Sequence, residues 1–123
     1  MNLFLLSVLG LIGIHLRYYF DQFFLNQHSP FPLSTFTANT LGCALAGIVA
    51  AYSLAKGHNA YTTALLVGLC GGLTTFSSYI LHFIKMMENG FHVKGLSFLI
   101  LSPVVGILVL WITYSFSKRF LGQ

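Results

Sequence analysis

The composition of this 123-residue chain is that of a protein embedded in a membrane. Apolar residues make up 56% of it, charged residues only 7%, and the mean hydropathy is +0.81, values that exclude an ordinary soluble domain. The net charge of +4 comes from lysines and arginines scattered near the ends of apolar segments. They indicate contact with the membrane interface and not nucleic-acid binding.

Four apolar segments are long enough to cross a hydrocarbon core about 30 Å thick. They lie at about 3–24, 33–54, 61–84 and 96–116. We therefore predict an all-α membrane protein with one domain, residues 1–123, whose core is the helix bundle itself. No basic residue precedes the first segment and no small-residue cleavage pattern follows it, so we expect a retained span and not a signal peptide.

Two polar residues interrupt the end of the first segment. Arg17 lies about 21 Å along the helix from Leu3, and an arginine inside the membrane is a candidate functional residue. An ordinary end-of-helix arginine that reaches the headgroups, helped by Asp21 one turn later, fits the pattern equally well. Both interpretations stay open from the residues alone. We interpret His15 as structural, since no other ligand residue stands at metal-binding spacing from it.

The second segment carries one strongly polar side chain, Asn39. The preceding turn, 26–32, contains two prolines that end one helix and favour the start of the next. Asn39 offers two N–H donors and one acceptor, so it needs a partner. It either packs against a neighbouring helix or lines an anion path as a donor. Packing is favoured by a ridge of small residues, Ala38, Gly42 and Ala46.

The third segment is interrupted midway by the sequence GLCGGLTTFSSYI, residues 68–80. Glycine, serine and threonine weaken a helix, and the pair Gly71-Gly72 lies about 15 Å deep when counted from Tyr61. Backbone that leaves helical geometry there needs protein or a water-filled cavity to satisfy its polar groups, so we predict a break at these glycines and an ion or substrate site. Close helix packing against the glycines is the alternative.

Past this break, Phe76 and Tyr79 fall on one helix face with serine and threonine hydroxyls around them. Such pairs usually pack, but the electropositive edge of a ring can attract an anion without holding it as tightly as a full charge would. In the fourth segment, Pro103 leaves a carbonyl without its usual donor. Ser102 is the nearest side chain able to compensate.

The sequence GGLTTFS at 71–77 resembles the signature of the small fluoride channels, the Fluc or CrcB family, which usually reads GGLTTFSTF. Two further landmarks of the family are present in order: Arg17 in a Leu-Arg-Tyr context, and Asn39 followed by Leu-Gly at 41–42. The resemblance covers the whole chain, strongly in the third segment and loosely in the fourth.

This resemblance implies a passive channel that exports fluoride from the cytoplasm and lowers its toxicity, in the plasma membrane of a prokaryote. It also implies an antiparallel dual-topology dimer with two narrow pores. Gly71 and Thr74 would offer backbone carbonyls to a structural sodium ion on the dimer axis, and Arg17 would supply positive potential near the pore mouth. The anion route would be lined by Asn39, Phe76, Ser77, Ser78, Tyr79 and Ser102.

Three positions depart from the family pattern. Tyr79 stands where a second phenylalanine is usual, and Phe98 stands where the fourth helix usually has tyrosine. Gly106 replaces a serine, so only Ser102 keeps its hydroxyl in that helix. These changes favour a heterodimer with a related chain. A tie of three basic residues on each side of the membrane suits instead a homodimer inserted in both orientations, so both assemblies stay open.

Two other classes of membrane protein share features with this chain. A small proton-coupled multidrug exporter has a similar length but needs an embedded carboxylate, whereas Asp21 and Glu88 stand at segment ends. A membrane assembly protein without transport would explain the small-residue ridges but not the polar midplane of the third segment. We predict no enzyme, because the sequence offers no activated nucleophile, phosphate-binding loop or metal-hydrolase spacing.

Overall fold

The computed structural model describes residues 2–25 and 29–122, and every regular element in those ranges is helical. Four helical stretches are long and apolar enough to cross a membrane: Leu3–Phe24, Leu33–Lys56, Ala60–Glu88 and His92–Phe120. The prediction of an all-α protein with four spans is confirmed. Of the predicted turn at 26–32, residues 26–28 lie outside the described residues.

The first, second and fourth spans are continuous helices. Helix α1 (Leu3–Phe24) begins after Asn2, whose side chain accepts a hydrogen bond from the Leu5 N–H. Helix α2 (Leu33–Lys56) ends at Gly57, where a φ of 88° needs glycine. The fourth span is a single helix that packs along α2. The described third and fourth spans run past the predicted ranges at both ends, and the fourth reaches Phe120.

The third span is built from four pieces. A short helix α3 (Ala60–Thr63) passes into a π-helix (Ala64–Cys70), which is followed by one turn of α-helix, α4 (Gly71–Leu73). The chain then leaves helical geometry and resumes as α5 (Phe76–Glu88). We name the fourth-span helix α6 (His92–Phe120). A π-helical stretch is rare and frequently accompanies a functional position.

The interruption lies at Thr74 and Thr75, three residues later than predicted. These two residues are extended, with ψ of 155° and 122°. The predicted break at Gly71-Gly72 is wrong in its position, because both glycines are helical. The prediction of an interrupted third helix is nevertheless confirmed.

Glycines of the third span bring it close to α1. A Cβ on Gly72 would lie 2.6 Å from the Gly10 carbonyl oxygen, and one on Gly68 would lie 2.8 Å from the Leu6 carbonyl oxygen. Neither position has room for a side chain, so these two glycines serve close packing. Gly71 differs from both, because a Cβ there would meet only its own helix, 3.8 Å from the carbonyl oxygen of residue 66.

A small aromatic core lies between α5 and α6. Phe98 of α6 is fully buried, and Tyr79 and Met86 of α5 pack on it. Gly42 of α2 allows the side chain of Thr74 to occupy the place where a Cβ would stand. The break in the third span is therefore held beside the middle of α2.

Candidate functional site

The break in the third span is closed by a side chain from α2. The Thr75 N–H donates to Asn39 Oδ1 at 2.7 Å, and Asn39 Nδ2 donates to the Thr75 carbonyl oxygen at 3.1 Å. One amide side chain thus satisfies both backbone groups of a residue that has left the helix, as the membrane interior demands. An asparagine Nδ2 carries two hydrogens. The second N–H is therefore not used by the pairing with Thr75.

Arg17 reaches the same break from α1. Its Nη1 donates to the Thr74 carbonyl oxygen at 3.2 Å, and the side chain is half-buried. The guanidinium is thus turned towards the break in the third span. Its positive charge lies next to the break and raises the electrostatic potential there.

The break also leaves the carbonyl groups of Gly71 and Thr74 without their helical donors, and Arg17 donates to the second of them. In a continuous helix the Thr75 N–H would donate to the Gly71 carbonyl, but here it donates to Asn39. Likewise the Ser78 N–H would donate to the Thr74 carbonyl, but it donates to the Thr75 hydroxyl at 3.2 Å. Carbonyl oxygens suit a hard cation. One chain supplies only two such oxygens, and that of Thr74 already accepts a hydrogen bond from Arg17.

Thr75 forms the N-cap of α5 and gathers hydroxyl groups around it. Its Oγ1 lies 3.2 Å from Ser78 Oγ and 3.3 Å from Ser77 Oγ. The first-turn N–H groups of a helix carry partial positive charge. The start of α5 therefore presents hydrogen-bond donors without a full cationic charge, which is chemistry suited to a weakly held anion.

A groove of about 410 Å³ opens beside the break, between α2, α5 and α6. Its lining is mainly apolar. The structure brings together four of the predicted pathway residues along this groove, together with Thr74 and Thr75 from the break: Asn39, Phe76, Tyr79 and Ser102. Asn39 pairs with the break through its amide and is also among the residues that line the groove.

A second cavity of about 360 Å³ lies on the other side of Thr75. Arg17 and Ser78, both predicted for the pathway, line this cavity, and so does Asp21. Ser77 is exposed and lines neither cavity. Because Thr75 lines both, its pairing with Asn39 marks the place where the two cavities approach each other.

Two residues of the second cavity were not singled out from the sequence. The hydroxyl of Thr35 lies 3.0 Å from His82 Nδ1 and ties α2 to α5. The spacing of both residues in the sequence could have indicated them. Thr35 precedes Asn39 by four residues, and His82 follows Ser78 by four. Residues four apart share a helix face. A search for polar residues one helical turn away from Asn39 and Ser78 would therefore have found Thr35 and His82.

The ring of Tyr79 stands between two other aromatic rings. Its centroid lies 5.1 Å from that of Phe98 and 5.9 Å from that of Phe76. The Tyr79 hydroxyl donates to the carbonyl oxygen of Leu99 in α6. That carbonyl is the one left without a helical donor by Pro103, so the observed donor is Tyr79 and not the nearby Ser102.

A family comparison agrees with this geometry. The family described as CrcB-like protein, Camphor Resistance (CrcB), matches residues 4–114. This chain belongs to the CrcB family. The family expected from GGLTTFS at 71–77 is thereby confirmed.

Three relatives of this CrcB-family chain carry the name fluoride-specific ion channel FluC. The protein of Helicobacter pylori strain J99 is 30% identical, and the match covers 99% of this chain and 98% of the relative. That of Methylobacillus flagellatus is 32% identical over 88% of this chain and 80% of the relative. That of Helicobacter acinonychis is 29% identical over 98% and 99%. The likeness therefore extends through all four spans.

Proposed function

We propose that this chain is a passive channel that exports fluoride from the cytoplasm of a prokaryote and so lowers fluoride toxicity. Its place is the plasma membrane, which it crosses four times. Membership of the CrcB family and relatives named as fluoride-specific channels support the proposal. The observation that carries it is the pairing of Asn39 with both backbone groups of Thr75 where two cavities approach within the membrane.

The groups at this place suit a small, strongly hydrated anion. The free N–H of Asn39 and the hydroxyls around Thr75 can replace part of a hydration shell. The rings of Phe76 and Tyr79 offer electropositive edges along the groove. Only Arg17 brings a full positive charge, and it lies at the second cavity. Such weak, distributed attraction lets an anion enter and also leave.

The chain acts by conduction and not by covalent chemistry, which is why we assign it no enzymatic activity. A proton-coupled multidrug exporter is the less favoured alternative. Of the described residues that line the two cavities at the break, Asp21 is the one acidic residue, and it lies in the last turns of α1. A carboxylate placed there does not give an exporter its central exchange site.

The working unit in this proposal is an antiparallel dimer with a structural sodium ion. Two oxygens from Gly71 and Thr74 are too few for a hard cation, whereas two copies related by a two-fold axis supply four. Gly71 is exposed in the single chain and bears no side chain that would hold a second copy away. Phe76 is 75% exposed at the open side of the groove. A second copy against that side would close the groove into a pore.

The two copies are of this same chain, in our proposal. The altered positions Tyr79 and Phe98 lie in one chain with their rings in contact. The two altered residues therefore pack on each other within one chain. A related chain is not needed to supply a packing partner for either of them. This removes the main reason to prefer a heterodimer.

Growth of a fluoride-sensitive bacterium tests the proposed function in cells. A strain without its own fluoride exporter should regain growth in millimolar fluoride when it expresses this chain, and should not when it expresses Asn39→Asp. Equal membrane levels of the two proteins, measured by immunoblot, are the control. Failure of the unchanged chain to restore growth at that level would overturn the proposal.

A further inference from the structure

Pro103 lies in the interior of α6 and creates a defect there. Proline has no backbone N–H, so the carbonyl four residues earlier, that of Leu99, receives no helical hydrogen bond. Inside a membrane there is no bulk water to replace it. The defect therefore calls for a donor from elsewhere in the protein.

The donor is the hydroxyl of Tyr79, which reaches across from α5 to the Leu99 carbonyl oxygen. The side chain of Tyr79 is 8% exposed and is wedged between Phe98 and Phe76. The hydrogen bond fixes the far end of the ring, and the two neighbouring rings fix its sides. The hydrogen bond and the buried ring of Phe98 thus hold Tyr79 in place.

That fixed ring forms part of the groove wall. Tyr79 and Pro103 line the groove together with Asn39. Tyr79 also lies in the first turn of α5, four residues after the Thr75 cap of the break. A change in its position would alter both the width of the groove and the angle at which α5 leaves the break.

We propose that Tyr79 is a positioning residue whose hydroxyl takes the place of the N–H that Pro103 lacks, and so sets the ring edge beside the anion groove. The consequence for transport rests on the proposed channel function. A phenylalanine at position 79 would leave the Leu99 carbonyl without a donor and free the ring to move. The groove would then discriminate less well between fluoride and the larger chloride ion.

A double-mutant cycle in liposomes tests this proposal, with the unchanged protein, Tyr79→Phe, Pro103→Ala and the double variant. We expect Tyr79→Phe to lower the ratio of fluoride to chloride efflux, because the ring beside the groove loses the hydrogen bond that holds it. It should also lower the thermal unfolding midpoint, because a buried acceptor loses its donor. Alanine at 103 restores a helical N–H to Leu99, so the same change should have little effect in that background. The matched control is Tyr61→Phe, because Tyr61 is 70% exposed at the start of the same span.

The proposal would be overturned if Tyr79→Phe lowered the ratio of fluoride to chloride efflux equally with and without Pro103→Ala. It would also be overturned if Tyr79→Phe lowered that ratio in neither case. If Tyr79→Phe fails to assemble, assembly of the double variant supports the proposal and its failure contradicts it. The thermal unfolding midpoints of the same four proteins in detergent give a readout that is independent of transport. If Tyr79→Phe lowers the unfolding midpoint less in the Pro103→Ala background, the hydrogen bond is supported even if the unchanged protein carries no fluoride. If the two changes in midpoint simply add, the hydrogen bond is contradicted.

Discussion

Asn39 on the second span and Thr75 on the third exchange two hydrogen bonds, at 2.7 Å and 3.1 Å, in the way that paired strands do. The pairing holds open a break in a membrane-spanning helix. A break so held leaves carbonyl groups on one side and helix N–H groups on the other. The opposite ends of the interruption therefore suit a cation and an anion respectively.

Asn39→Asp is expected to abolish fluoride flux. A carboxylate can still accept from the Thr75 N–H, but it cannot donate to the Thr75 carbonyl and it repels an approaching anion. Fluoride efflux from liposomes measures the effect, and Asn89→Asp, at the exposed end of α5, is the matched control that should retain flux. Undiminished flux in a correctly assembled Asn39→Asp protein would remove Asn39 from the pathway.

Gly71→Val is expected to lose dimer assembly and flux together. Beyond its own helical turn, a Cβ at Gly71 meets nothing nearer than 3.8 Å, so we expect the damage to fall on the two-fold contact and the sodium site. Gly72→Val is the contrasting variant, because its Cβ would collide with Gly10 within the chain and prevent folding. Mass measurement in detergent and sodium replacement by a large organic cation separate the two cases. A dimeric Gly71→Val protein with sodium-dependent flux would show that Gly71 is not at the proposed axis.

Composition and segment length sufficed to predict four spans, and the glycines, serines and threonines at 68–80 sufficed to predict an interrupted third helix. The position of the break could not be obtained in the same way, because glycine weakens a helix and also permits close packing. Gly68 and Gly72 are used for packing against α1, and the break is set by Asn39, which lies 36 residues away in the chain. No local pattern contains that contact.

The compensation of Pro103 shows the same limit. Pro103 indicated that one carbonyl lacks its helical donor, and Ser102 was the nearest side chain in the sequence able to supply one. The observed donor, Tyr79, is 20 residues from Leu99 and belongs to another helix. Grouping Asn39, Phe76, Tyr79 and Ser102 into one groove, by contrast, could be expected from the family resemblance.

Arg17→Gln is expected to lower fluoride flux about tenfold, and Arg17→Lys to recover part of it. Both variants disturb the hydrogen bond to the Thr74 carbonyl, but lysine keeps the positive charge at the second cavity. The loss should shrink as ionic strength rises, since salt screens the missing charge. Arg119→Gln, in the last turn of α6, controls for loss of a basic residue. Equal flux from Arg17→Gln and the unchanged protein would exclude an electrostatic role for Arg17.

The most direct test is to reconstitute the purified chain alone and measure fluoride efflux from liposomes, with chloride efflux as the selectivity control. The account predicts rapid passive fluoride efflux, little chloride efflux, and a dimer of this one chain. Absence of fluoride efflux from the assembled protein would contradict it, as would efflux that appears only when a second, related chain is co-expressed.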